Sequence, residues 1–309
     1  MKAVLIHKYG GPEELKYEDT SLPIINPDDV LIKVFAASVN PVDWKVREGH
    51  MKGLNREFPV ILGWDVSGVI EKVGADVQDY FVGDEVYARP DVSRNGTYAE
   101  YVAVRAGEIY FKPKTLGHLQ AAAIPLAGLT AWQGLFDHGK LQAGQKILIH
   151  GAAGGVGTLA IQLAKWKGAY VIGTASEKNI AFLKELGADE VVDYHKENFE
   201  EKLKDIDVVF DTIGGETQIK SLKVLKHGGI LVSTVGIKHM DALNAKGIHG
   251  VQYMAQSVPE NLKELADLID AGKLKPVIAQ ILPLKEIVKA HQLSEGGHTR
   301  GKIVLQVVE

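Results

Sequence analysis

The chain has 309 residues, 46% of them hydrophobic and 24% charged, a globular composition that excludes fibrous and disordered architectures and suffices for one large or two ordinary domains. Lys and Arg number 35 against 39 Asp and Glu, a formal net charge of −4, so no net basic field exists to hold nucleic acid or an anionic membrane, and only a local basic pocket stays open. The cysteine count is 0, which removes disulfides, thiolate nucleophiles and cysteine-ligated metal sites together.

The N-terminal MKAVLIHKYGG has an apolar run only over 3–6, short of a signal-peptide core. No stretch reaches the roughly 18 apolar residues of a membrane span, since even 121–129 is broken by Pro125 and Gly128. A cytoplasmic protein is expected. In chain order, 3–6, 30–39, 66–73, 85–88 and 98–104 are short runs rich in Val, Ile and Tyr between Gly, Pro and Asp clusters, which predicts strands in a compact barrel or sandwich. The texture changes near residue 117. Short apolar strands over 146–149, 170–173, 190–192, 208–210 and 230–233 then alternate with helical spacing over 156–166, 178–186 and 217–225, the pattern of βαβ units and a parallel sheet. The tail holds two amphipathic helices, 262–270 and 285–293, and a last strand over 302–307. Without repeats or low-complexity tracts, the expected plan is a first domain over 1–118, an inserted nucleotide domain over 119–258, and a return to the first domain over 259–309.

The strongest local signal is KILIHGAAGGVGTLAIQLAK, residues 146–165, an apolar strand meeting a glycine-rich turn and then a helix. Ala152, Gly154 and Gly157 occupy the three fingerprint positions, with Ala152 in place of the usual first glycine. Gly154 admits the pyrophosphate to the backbone, Gly157 lets helix pack on strand, and the helix opening at Gly155 and Val156 attracts phosphate charge. Glycine-rich turns also occur for purely structural reasons; the strand–turn–helix context favours the nucleotide. The next strand, AYVIGTASEK, ends without the carboxylate that would hold a ribose 2′-hydroxyl. Ser176 and Lys178 suit a 2′-phosphate instead, so the expected cofactor is NADPH. A solvated first-turn lysine is the alternative for Lys178, and Glu177 is compatible only if it faces solvent.

Further segments extend the pattern over the whole chain: AASVNPVDWKVREG (36–49), LGWDVSGVIEKVGADV (62–77), VGDEVYA (82–88), GTYAEYVAV (96–104), AAAIPLAGLTAW (121–132), GAAGGVG (151–157), GADEVVDY (187–194) and GKIVL (301–305). In this order and spacing the chain resembles the zinc-independent quinone oxidoreductase branch of the medium-chain dehydrogenases/reductases, which includes enone (alkenal) reductases. The resemblance implies an α/β protein in which a GroES-like β-rich domain and a Rossmann doubly wound parallel sheet flank a cofactor cleft. Where zinc alcohol dehydrogenases place a Cys and a His as ligands, this chain has Asn40 and Trp64, and neither an amide nor an indole is a zinc ligand. None of the 11 His residues falls in an HxxxH or HExxH pattern. With no Lewis acid to form an alkoxide, the implied reaction is hydride delivery from NADPH to a quinone. The alternatives are the β-carbon of an α,β-unsaturated ketone or aldehyde, or an NADPH-binding protein without catalysis.

By the same resemblance NPVDWK lines the nicotinamide end. Asn40 then contacts cofactor ribose or substrate oxygen, and Lys45 contacts ribose or stabilises negative charge on the acceptor. The plainer readings are Asn40 capping a turn before Pro41, Asp43 as an N-cap and Lys45 in solvent. Thr130 resembles a threonine facing the nicotinamide, although a helical Thr also bonds its own backbone. Tyr194 resembles a tyrosine reaching the adenosine 2′-phosphate, its alternative being a half-buried strand-end residue. Ile213, Val235 and Gly236 follow the fourth and fifth strands and so belong at the sheet's carboxyl edge against ribose and nicotinamide. Arg300 and Lys302 sit by the returning strand, as cleft or plain surface charges. His150 reads as structural. The loops 49–57 and 239–247 are expected to choose the acceptor, and a homodimer through the sheet edge around Val251 is expected from the family.

Overall fold

The computed structural model describes residues 1–51 and 57–308. The chain forms two compact units. One comprises 1–126, 257–272 and 276–309; the other comprises 127–256 and 273–275. The sequence reading placed these changes at 118 and 258, with no later return of 273–275.

In the first unit, the 11-residue strand Asp29–Val39 organises a seven-stranded sheet. It pairs antiparallel with Val66–Val73, with Tyr101–Arg105 and with the last strand, Lys302–Gln306. Register shifts at Leu31/Ile32 and Val34/Ala36 bend it to serve these neighbours. The strand Ile278–Pro283, absent from the sequence reading, lies parallel to Lys302–Gln306. Lys16–Asp19, Lys2–Ile6 and Val60–Ile61 form a separate three-stranded sheet. Apolar residues at helical spacing fix the two tail helices. Pro259–Asp270 buries Leu262, Leu265, Ala266 and Ile269, and Ile287–Glu295 buries Ile287, Ala290 and His291. Each fully buried aliphatic side chain contributes about 1.5–3 kcal/mol, and here Val30, Ile32, Val34, Val66, Val86 and Val104 make one such cluster.

The second unit is built on six parallel strands in the order Glu190–Asp193, Tyr170–Ala175, Lys146–Ile149, Ile206–Asp211, Leu225–Ser233 and His249–Gln252. Counted along the chain this is 3-2-1-4-5-6, the doubly wound arrangement whose order reverses between the first and fourth strands. Its short apolar runs (VVF, LV) are buried, as expected of a parallel sheet covered by helices. No described helix is long and apolar enough to cross a membrane.

Candidate functional site

The glycine turn shows directly why its residues are what they are. After Lys146–Ile149 the chain passes through Gly151 (φ 69°) to Gly154 (φ −75°, ψ 177°), and the helix Gly155–Trp166 begins. A Cβ on Gly157 would lie 2.4 Å from the Gly151 carbonyl oxygen and 2.6 Å from Ala152 Cα, so helix and turn abut backbone to backbone. A Cβ on Gly154 would meet only that oxygen, at 3.3 Å, which leaves its outer side open. The first helical bond runs from Thr158 N–H to Gly154 O at 3.0 Å. The N–H groups of Gly155, Val156 and Gly157 therefore precede the ladder, the arrangement that suits a phosphate. Ala152 is buried, and its methyl stands where Gly173 on the next strand has no side chain: a Cβ there would be 3.0 Å away. Ala152 and Gly173 thus exchange the usual roles of small and smaller residue.

At the carboxyl edge, Ser176 accepts from Asn179 Nδ2 at 3.2 Å, and Lys178 is exposed. Glu177 faces solvent and pairs with Lys196 Nζ at 2.8 Å, a cation the sequence reading passed over because it lies beyond the strand. Tyr194 is 51% exposed and bonds through its N–H to Ala175 O on the adjacent strand, at 3.3 Å.

The two loops after the fourth and fifth strands are tied together by Asp211, which is fully buried. Its Oδ1 accepts from the N–H groups of Ile213 and Gly214 at 2.9 and 2.8 Å; its Oδ2 accepts from Gln218 Nε2 at 2.8 Å and Ser233 Oγ at 3.2 Å. Gln218 Nε2 also donates to Gly236 O at 2.8 Å. Ile213 and Val235, 55% and 40% exposed, ride on this network with their side chains in solvent. His150 is buried with Nδ1 3.1 Å from Thr174 Oγ1 and Nε2 2.9 Å from Ser221 Oγ. Because the Ser221 hydroxyl donates to Thr217 O, Nε2 carries the proton and Nδ1 accepts. Burial holds its pKa down to about 4, so the ring is a neutral structural bridge. Thr130 is buried in the helix Pro125–Trp132.

In the first unit NPVDWK opens the helix Pro41–Arg47. Asn40 is its N-cap by position, but the cap bond comes from Asp43, whose Oδ2 accepts from Asn40 N–H at 2.7 Å. The Asn40 side chain turns away: Nδ2 donates to Asp65 Oδ2 at 2.7 Å, and Oδ1 accepts from Lys302 Nζ at 2.5 Å. Lys302 is buried and also donates to Val39 O at 3.0 Å and Asp65 Oδ2 at 3.1 Å, so all three of its N–H groups are taken up inside the unit. Asp65 further accepts from Ser38 Oγ and Leu126 N–H, both at 2.6 Å. Asp65, which no motif singled out, is the hub of this cluster. Asp43 accepts from Tyr98 Oη at 2.5 Å, its Oδ1 is buried without a partner, and desolvation pushes its pKa up to about 7. Lys45 is half-buried, its ammonium 5.5 Å from the Trp44 ring centre. Arg300 is exposed. Of the two loops expected to choose the acceptor, 52–56 lie outside the described residues, and 239–247 carry the short helix Met240–Ala245. Among the described residues no group of three His, Asp or Glu is placed to hold a metal ion.

Residues 26–114 match the family described as alcohol dehydrogenase GroES-like domain, and 186–305 match the family described as zinc-binding dehydrogenase. The chain is 38% identical to the mitochondrial NAD(P)H oxidoreductase RTN4IP1 of Mus musculus, over 100% of this chain and 89% of that protein. It is 40% identical to the chloroplastic NADPH-dependent alkenal/one oxidoreductase of Arabidopsis thaliana, over 99% of this chain and 79% of that protein. The solved quinone oxidoreductase of Coxiella burnetii superposes with a TM-score of 0.95 at 41% identity, covering 100% of this chain and 99% of that one. The mitochondrial and chloroplastic locations are those of the relatives and differ from the cytoplasm expected from the sequence. With the doubly wound sheet, the glycine turn and these likenesses together, the chain belongs to the medium-chain dehydrogenases/reductases, in their quinone oxidoreductase branch.

Proposed function

We propose that this protein is an NADPH-dependent oxidoreductase that delivers hydride to quinones without zinc. The observation that carries the reading is the Gly151–Gly157 turn, closed to any side chain at Gly157 and open at Gly154, with three helix N–H groups beside it. These residues fit a dinucleotide pyrophosphate. Ser176, Lys178 and Tyr194 would hold the adenosine 2′-phosphate, with no carboxylate at the end of Tyr170–Ala175 itself to repel it. Ile213, Val235 and Gly236 would bear on ribose and nicotinamide, and Thr130 on the nicotinamide itself.

When bound, NADPH supplies a hydride, and the quinone takes up that hydride and one proton to become the hydroquinone. The chain's own part is positioning and charge. Asn40, clamped by Asp65 and Lys302, has one Nδ2 proton left to donate to a ribose or acceptor oxygen. Lys45 supplies positive charge toward the oxyanion that develops on the acceptor. Arg300, exposed beside the last strand, is a further cation for the cofactor. Zinc independence rests on the donor set, since the Asn40 amide and the Trp64 indole do not ligate zinc. A second reading, reduction of the C=C bond of α,β-unsaturated ketones or aldehydes, is favoured by the 40% identity to an alkenal/one oxidoreductase. The edge strand His249–Gln252, which ends the six-stranded order, supports a homodimer.

The test follows the absorbance of reduced nicotinamide with a quinone and with a simple enone, each with NADPH and NADH, with and without a chelator. Turnover with NADPH and a quinone, unaffected by chelation, is the expected result. NADPH binding without turnover of either acceptor would overturn catalysis, and activity restored only by zinc would overturn the metal-free reading.

A further inference from the structure

The helix Pro125–Trp132 runs directly into a π-helical stretch, Gln133–His138, where Gly139 N–H bonds to Gly134 O five residues back at 2.9 Å. In a regular α-helix Gly134 N–H would bond to Thr130 O. Here the hydroxyl of Tyr253 stands between them. Tyr253 Oη donates to Thr130 O at 2.5 Å and accepts from Gly134 N–H. Position 134 must be glycine for this to happen, since a Cβ there would lie 2.5 Å from Tyr253 Oη and 2.5 Å from the Phe210 ring. Tyr253 is itself fixed at the end of the edge strand by its N–H bond to Ser233 O at 3.2 Å, with the His138 ring 4.5 Å from its own. The wedge is therefore held on both sides. A hydroxyl inserted into a helix ladder widens that turn, and the turn it widens carries Thr130.

We propose that Tyr253 is a positioning residue: its hydroxyl, spliced between Thr130 C=O and Gly134 N–H, sets the orientation in which Thr130 meets the nicotinamide. The proposal rests on the NADPH reading above. Without the hydroxyl, the bond between Gly134 and Thr130 closes and Thr130 rotates with it; the ring's packing needs no hydroxyl. A structural tyrosine would alter stability alone, whereas a positioning one alters cofactor affinity through Thr130.

The experiment titrates NADPH into the full-length wild type, Tyr253→Phe, Thr130→Val and the double variant by calorimetry, with circular dichroism as the folding control. Tyr253→Phe should weaken NADPH binding about 3- to 10-fold, the range for one net hydrogen bond, with the helical signal retained, and the double variant should bind no more weakly than Thr130→Val. Unchanged binding in Tyr253→Phe or in Thr130→Val overturns the proposal, as does a Tyr253→Phe loss repeated in full on the Thr130→Val background. Failure of the wild type to bind NADPH overturns the cofactor reading and the proposal with it. Amide exchange needs no variant: the Gly134 N–H should be protected and become more so with NADPH, and rapid exchange in both states would overturn the wedge.

Discussion

Lys302 grips Asn40 by its side-chain oxygen, Nζ to Oδ1 at 2.5 Å, across 262 residues of sequence. The same ammonium bonds to Asp65, whose side chain is completely buried, so this lysine both orients an amide and neutralises a carboxylate. Removing one partner of such a buried pair leaves the other charge stranded, at a cost of about 3–5 kcal/mol. Lys302→Met should lower the unfolding free energy by that amount in urea denaturation, and a loss below about 1 kcal/mol would mean that Asp65 is not relying on it.

The two fingerprint glycines should respond differently. Gly157→Ala forces a methyl to within 2.4 Å of a carbonyl oxygen and should cost about 1–3 kcal/mol of stability as overpacking. A Cβ at Gly154 meets only one backbone oxygen, at a tight but not clashing 3.3 Å, so Gly154→Val should lose less stability than Gly157→Ala yet lose NADPH binding, because the side chain stands where phosphate approaches. Cofactor titration beside thermal melts separates the two, and a Gly154→Val protein with normal NADPH affinity would contradict the open-face geometry.

Lys178→Ala should weaken NADPH binding by about 1–3 kcal/mol, the worth of one charge-assisted contact, and leave NADH nearly unchanged. Equal losses for both cofactors would remove Lys178 from the 2′-phosphate.

Three buried groups contribute to the pH response in opposite directions. Asp43, raised to about 7 from 3.8, keeps in the folded state a proton that the unfolded chain gives up, so its contribution is lost as pH climbs from about 4 through 7. His150 and His291, lowered to about 4 and about 3 from 6.5, work oppositely: the unfolded chain takes protons first, and stability falls as pH drops from 6.5 through those values. Asp43→Asn removes only the first effect. Relative to the wild type, the variant should therefore gain stability as pH rises from 5 to 8, read from melting temperatures; a constant difference across that range would show Asp43 ionised throughout.

The parallel sheet was the most legible part of the sequence, because short apolar runs separated by helical spacing admit little else. The strands expected over 208–210 and 230–233 extend to Ile206–Asp211 and Leu225–Ser233, with ends that polar residues such as His227 conceal. Ile278–Pro283 was not legible: its alternate residues are exposed and a proline closes it, so the local pattern is that of a loop until Lys302–Gln306 lies alongside. At the candidate site, the glycine turn was visible through its spacing. Asp65 and Tyr253 were not, since each acts through partners distant in sequence; Asp211 bonds Ile213 and Gly214 close by, but a lone Asp or Tyr carries no periodic signature. The Asn40 reading was half legible. Proximity to Pro41 marks the helix start, but nothing local shows the side chain turned toward Asp65.

The wide sequence separation in the first unit also bears on synthesis. Asp65 leaves the ribosome 237 residues ahead of Lys302, a delay on the order of ten to fifty seconds at typical elongation rates. During that interval the second unit, nearly contiguous in the chain, can complete its sheet, while the strand Asp29–Val39 still lacks its partner over Ala36–Val39 and Asp65 has no counter-ion. The nascent first unit is thus the stage at which a chaperone has most to protect, and Lys302–Gln306 brings the strand and the cation that close it.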